Sequence, residues 1–216
     1  MVAFNKAKGT AQKNNIEQYQ MRNGDNAVRF VGDLLARYVY WIEGENGKSI
    51  PFECLSFDRE REAFTNVEKD WVREFYPDLR CTWSYAIQCI DITEGTEPKV
   101  VVFNLKKKLL EQIKTAAEDL GDPTDPDNGW GIYFKKVKTG ALAYNVEYTL
   151  QVPKCMKGQR PLTAAEKAAI AAAKPIEELL VRPTPDAQKE LLERLRKGGD
   201  QAENVDDTLE EEFDIR

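Results

Sequence analysis

The sequence predicts a mainly β protein with inserted helices, built on a small Greek-key barrel. Three observations carry that expectation. Short stretches of alternating apolar and polar residues recur between residues 27 and 151, separated by turn residues. Two stretches among them switch to a spacing of three and four, the mark of amphipathic helices. Beyond residue 152 the character changes to helix and then to acid. Residues 198–216 carry eight acids against Arg216, net −7 in a chain whose total is −6, so the preceding part is about +1.

Residues 1–15 hold Lys6, Lys8 and Lys13 with no acid and read as a flexible basic arm. Alternation begins near Ala27. Val28 and Phe30 point one way and Arg29 the other. Tyr38, Tyr40 and Ile42 then share one face, with Arg37, Val39 and Trp41 opposite. A turn over 43–48 leads to a returning strand over 50–55. Phe64, Val67, Trp71 and Phe75 predict a helix over 57–76, ended by Pro77. Residues 80–92 return to a strand, with Tyr85, Ile87 and Cys89 on one side and Ala86, Gln88 and Ile90 on the other. Val100 to Phe103 is a buried run. Asn104 is placed to cap a helix whose stripe is Leu105, Leu109, Ile113, Ala116 and Leu120.

A Gly/Pro/Asp loop over 121–129 precedes two strands. Ile132, Phe134, Lys136 and Lys138 lie on one face of the first; Tyr144, Val146, Tyr148 and Leu150 face the core on the second. About six short strands with helices between them suit an OB-fold, the oligonucleotide-binding Greek-key barrel; a β-sandwich is the alternative. Residues 153–160 read as a basic linker. Thr163 and Glu166 form a capping box for an alanine-rich helix broken by Pro175. Thr184 or Asp186 opens a last helix with Leu191, Leu192 and Leu195, stopped by Gly198 and Gly199. The division expected is a basic arm (1–15), an OB-fold core (16–152), a linker with two C-terminal helices (153–197) and a disordered acidic tail (198–216).

The chain has no histidine, which removes Ser-His-Asp and Cys-His catalysis and every His-containing zinc site. Its four cysteines show no C-x-x-C pair, and no phosphate-cradling glycine motif occurs. No cofactor and no metal are expected. No run approaches the ~20 apolar residues of a membrane helix, and the first residues lack a signal-peptide core. A cytoplasmic protein with reduced thiols is the expectation.

A single-strand binder needs cations for phosphates and flat rings for bases to stack on. The body interleaves them: Arg37 with Tyr38, Tyr40 with Trp41, Arg80 with Trp83 and Tyr85, and Tyr133 with Lys135 and Lys136. Lys106, Lys107 and Lys108 add a basic run at a helix start, against the helix dipole. Lys136 and Lys138 turn an apolar strand face basic. Arg29 and Tyr144, on flanking strands, complete the candidate DNA-binding set. Rings on strands are also ordinary core, and Tyr38, Tyr85, Tyr144 and Tyr148 fit that role equally.

In these residues the chain resembles the single-stranded DNA-binding proteins of tailed bacteriophages, including the T-even type. The matching stretches run from Asn23 through Phe30 to the Tyr-Trp strand, then Arg80-Cys81-Thr82-Trp83-Ser84-Tyr85-Ala86. Next come the Val-Val-Phe strand with its helix and Gly129-Trp130-Gly131-Ile132-Tyr133-Phe134-Lys135-Lys136, continuing to Tyr144 and Pro161-Leu162-Thr163. The resemblance implies an OB barrel, cooperative self-association along DNA, an arm contacting the neighbouring subunit, and host-cell cytoplasm as its place. It implies an acidic tail that recruits replication and recombination proteins, here through Glu210, Glu211, Glu212, Phe213, Asp214 and Ile215. The zinc module of the T-even type is not carried over, since its ligands are missing.

The function expected is non-enzymatic, sequence-independent coating and protection of single-stranded DNA in phage replication, recombination and repair. One alternative is an adaptor that binds proteins only. Another is a metal-dependent nuclease, since Pro77-Asp78 and Glu97-Pro98-Lys99 formally fit a P-D…E-x-K pattern. There Glu97 sits in a turn, and Pro98 interrupts strand pairing.

Overall fold

The computed structural model describes residues 16–44, 49–140 and 145–197. The strands in them are β1 Gly24–Leu35, β2 Tyr38–Glu43, β3 Ser49–Glu53, β4 Phe57–Asp58, β5 Ala63–Phe64, β6 Thr82–Trp83, β7 Tyr85–Asp91, β8 Val100–Leu105, β9 Ile132–Lys138 and β10 Val146–Leu150. The helices are α1 Trp71–Phe75, α2 Lys107–Leu120, α3 Val152–Lys157, α4 Ala164–Ala172, α5 Ile176–Leu179 and α6 Pro185–Arg196.

Five strands form an antiparallel sheet in the order β10-β9-β1-β7-β8. Counted among themselves they lie 5-4-1-2-3, with α2 crossing from the third to the fourth. This is an OB-like core plus helices, as the alternation predicts. The apolar stripe of α2 buries Leu109, Leu110, Ile113 and Ala116. Both open edges of the sheet are covered, which removes templates for stray pairing. Residues 17–19 bond to Val102 along β8. Gln112 of α2 stands in for a strand beside β10, donating to the Tyr148 carbonyl at 2.9 Å and accepting from the Leu150 amide at 2.8 Å.

The second sheet, β3-β2-β6, continues the first. The pairing of Leu35 with Ala86 and of Tyr38 with Trp83 keeps one register, and the Ser84 amide bonds to the Arg37 carbonyl at 2.9 Å between them. Residues 28–39 and 82–91 are therefore one long antiparallel ribbon that runs out of the barrel. Its barrel half is buried on both faces, as β7's alternation foretells. Tyr85, Ile87 and Cys89 join the main core with Phe30, Phe103, Trp130 and Phe134. Ala86 and Ile90 face α4, α5 and Leu162 on the other side, with Val31, Leu35 and Val102.

Several elements differ from expectation. The helix read over 57–76 is only Trp71–Phe75, capped by Asp70. Residues 57–64 form the β4–β5 hairpin instead. Asp58 accepts from the amides of Glu60 and Arg61, closing a turn, and Phe57 pairs with Phe64. Asn104 stays in β8 and bonds to Gln18, and the α2 N-cap is Lys106, without a side-chain cap bond. The linker over 153–160 is largely α3, since Pro153 suits a first helical turn. The capping box of Thr163 and Glu166 and the Thr184 cap form as read. The short α5 follows Pro175, so the C-terminal part holds more helices than two. α6 packs on α1, and buried Gln188 joins α6 to both the Trp71 amide (2.7 Å) and the Glu53 carbonyl (2.8 Å).

Candidate nucleic-acid interface

Where the ribbon leaves the sheet, several aromatic rings converge. Trp83 and Tyr85 are two apart on one strand face, and their rings stack at 4.3 Å and 22°. Tyr38 pairs across from Trp83, and its ring touches Phe57 at 4.7 Å and Phe64 at 5.0 Å. Tyr85 pairs with Leu105, which sets Lys106, still extended at φ −87° and ψ 136°, level with Ser84. Exposed Lys107 follows on the first turn of α2. Arg37 belongs to the same joint through its bond to Ser84. Arg80 is exposed just ahead of β6.

The candidates take different roles here. Trp83 and Tyr38 are half-buried and face outward in part. Tyr85 is buried and backs Trp83; burial and its hydrogen bond to Glu62 push its phenol well above the ordinary value. Burial likewise raises the Tyr38 phenol. Trp41 is half-buried, donates to the Thr82 hydroxyl at 3.0 Å, and lines an open groove of about 630 Å³ with Phe75, Tyr76 and Pro77.

Two candidates are interior and present nothing to a ligand. Tyr40 is buried, donating to the Asp70 carboxylate at 3.1 Å and receiving the Cys54 thiol at 3.3 Å. Arg29 is 1% exposed and donates to the Asp125 carbonyl at 2.5 Å. Burial first, and then the neighbouring Arg160, lowers its pKa. Its alternation was read correctly, but α4 and the 121–129 loop cover the face that it points to.

A second basic group lies on β9. Lys135 and Lys138 are exposed and Lys136 is half-buried. Tyr133 is packed against α3's end, its ring 2.6 Å from where a Cβ on Gly158 would stand, so only glycine fits there. Lys136 pairs with Gly24 and the Trp83 joint begins beyond Leu35. Eleven residues of β1 separate the two groups, at most ~36 Å at ~3.3 Å per residue.

Sequence reading missed Phe64 and Glu62 at this site. Phe64 was placed in the stripe of a helix; it is 51% exposed on the hairpin beside Tyr38. The signal available was Asp58, a turn former between the two phenylalanines. Tyr144, the basic arm over 1–15 and the tail with Glu210, Glu211, Glu212, Phe213, Asp214 and Ile215 lie outside the described residues. Among the described residues, no group of three Cys, Asp or Glu is arranged to hold a metal ion. Asp78 precedes β6 and Glu97 follows β7, at opposite ends of the 82–91 strand. No described helix is long and apolar enough to cross a membrane.

The fold class is thus mainly β, an OB-like core plus helices. No family model matches the sequence. A curated protein of Escherichia phage T5, named "Probable ssDNA-binding protein", is 30% identical over 164 residues, covering 70% of this chain and 62% of that protein. The chain therefore spans under two thirds of that relative's length. The likeness is thus to a phage protein named as a probable single-stranded DNA-binding protein, and it gives no support to the T-even type in particular.

Proposed function

We propose that this chain binds single-stranded DNA without sequence preference and acts by binding, not catalysis. The observation that carries this is the Trp83–Tyr85 stack, edged by Tyr38 where the ribbon leaves the sheet; Lys106 and Lys107 follow on the neighbouring strand, Lys106 level with Ser84. A stacking platform flanked by cations is what a backbone-tracking, sequence-tolerant site requires. The relative's name supports the same reading. In this proposal Arg37, Tyr38, Trp83, Arg80, Lys106 and Lys107 meet the strand first, backed by Tyr85. Trp41 and the β9 group of Tyr133, Lys135, Lys136 and Lys138 lengthen its path, with Tyr144 at the β9–β10 end.

The finer roles belong to the same proposal: coating in phage replication, recombination and repair within the host cytoplasm, self-association along DNA through the 1–15 arm, and partner recruitment by the acidic tail. The test is tryptophan fluorescence during titration with single-stranded oligonucleotides, against duplex of equal length, at two salt concentrations. The expected result is quenching by single strands that weakens with salt, and a loss of about 1–3 kcal/mol in Trp83→Ala. No response to either ligand, with no gel shift, refutes DNA binding and leaves the protein-only adaptor.

A further inference from the structure

The β4–β5 hairpin has a fixed base and a free tip. At the base, Arg182 donates to the carbonyls of Leu55 (2.8 Å) and Phe57 (2.7 Å), and the Thr65 amide bonds to the Ser56 carbonyl at 2.9 Å. Residues 60–64 at the tip are exposed. Glu62 and Asn66 flank β5, and among the described residues they are the two non-glycines with positive φ, 47° and 52°. Backbone held in that region marks ligand clamps and switch segments.

The tip's side chains converge on the rings. From its left-handed backbone, Glu62 places a carboxylate oxygen 2.6 Å from the Tyr85 hydroxyl, which donates to it. A carboxylate thus sits at the rim of the ring platform. Phe64 lies half in water although its ring touches Tyr38 and Phe57 (5.3 Å). A carboxylate and a DNA phosphate repel one another at one rim. A half-exposed ring beside a stacking platform is open to a base.

Building on the single-strand reading, we propose that this hairpin is an acidic gate on the site. Glu62 closes over the platform in the free protein, a single strand displaces it, and Phe64 then serves as a further stacking ring.

The test uses the full chain and oligothymidylate, read by tryptophan fluorescence at low and high salt. Glu62→Gln keeps the shape and an acceptor oxygen but removes the charge; the side chain is exposed, so the fold is retained. It should bind about fivefold more tightly at low salt, with the gain shrinking at high salt. Tyr85→Phe removes the latch donor, and the double variant should gain no more than the better single variant. Phe64→Ala should bind about fivefold or more weakly. A merely structural contact between Glu62 and Tyr85 would not tighten binding when broken. A parent that binds while Glu62→Gln and Phe64→Ala match it overturns the gate and leaves DNA binding intact. A parent that does not bind overturns both.

Discussion

Replacing Lys106 with Ser and Lys107 with Gln should make the protein more stable and its DNA binding weaker. The two effects come from one feature of the structure. α2 begins without a side-chain cap bond and with no acid in its first turn, and it carries lysines at the positive end of its dipole. Each such charge costs about 0.3–1 kcal/mol, and a serine at the N-cap position contributes about 1 kcal/mol. The double variant should therefore gain about 1–2 kcal/mol against denaturant. If both lysines meet phosphates, each releases about 0.7 of a counterion on a single strand, so the slope of log affinity against log salt should become shallower by about 1.4. Oligothymidylate titrations from about 50 to about 200 mM salt would show the parent's advantage shrinking about sevenfold. A variant with raised stability and an unchanged salt slope refutes the assignment, because the lysines would then not meet phosphate.

Two further predictions test the frame around the site. Arg160 lies 2.7 and 2.6 Å from the two oxygens of Glu166 and holds that carboxyl down to about 2 from its ordinary 4.5. The pair's contribution is thus full above about pH 4.5 and is lost as pH falls through about 2. Shielded from water, such a shift would be worth about 3–4 kcal/mol, but Arg160 is over a third exposed, so Glu166→Gln should cost about 1–2 kcal/mol at neutral pH. Melting across pH checks this; a gap to the parent that persists unchanged near pH 2 would refute the ion pair as its source. Gln188→Leu strands the Trp71 amide and the Glu53 carbonyl and should cost about 2–4 kcal/mol by chemical denaturation. A loss under ~1 kcal/mol would mean that water replaces the amide.

Local signals in the sequence translated directly into structure. Thr163 and Glu166 sit three apart and cap α4 with no help from distant residues. Tyr85, Ile87 and Cys89 alternate with Ala86, Gln88 and Ile90, and both faces exist because strand geometry alone enforces them. Non-local pairing was invisible. Trp71 and Phe75 are true helical neighbours, but Phe64, although it extends the same spacing, is claimed by Phe57 and Tyr38 across a hairpin. Tyr40 turns inward because Asp70, thirty residues on, brings its carboxylate to the hydroxyl. Arg29 is buried because a distant loop supplies the Asp125 carbonyl. Spacing identified rings and cations, and the pairing of distant segments decided which rings are interior.

The position of the candidate site follows from how the ribbon leaves the barrel. Register shifts between Val31 and Leu35, where Gly32 adopts φ 71°, a conformation that favours glycine. Up to Leu35, α4 and α5 cover the outer face, so apolar residues there are core. Past Ala36 the inner face of the same strands carries Tyr38 and Trp83, which pack against the edge of the main core and are only partly buried. These rings are not loose: Phe57 braces Tyr38, and Tyr85 lies flat behind Trp83. Half-exposed rings held from behind have little conformational freedom left to lose when a base stacks on them. That rigidity is what the proposed stacking platform needs and what a strand end in plain solvent does not.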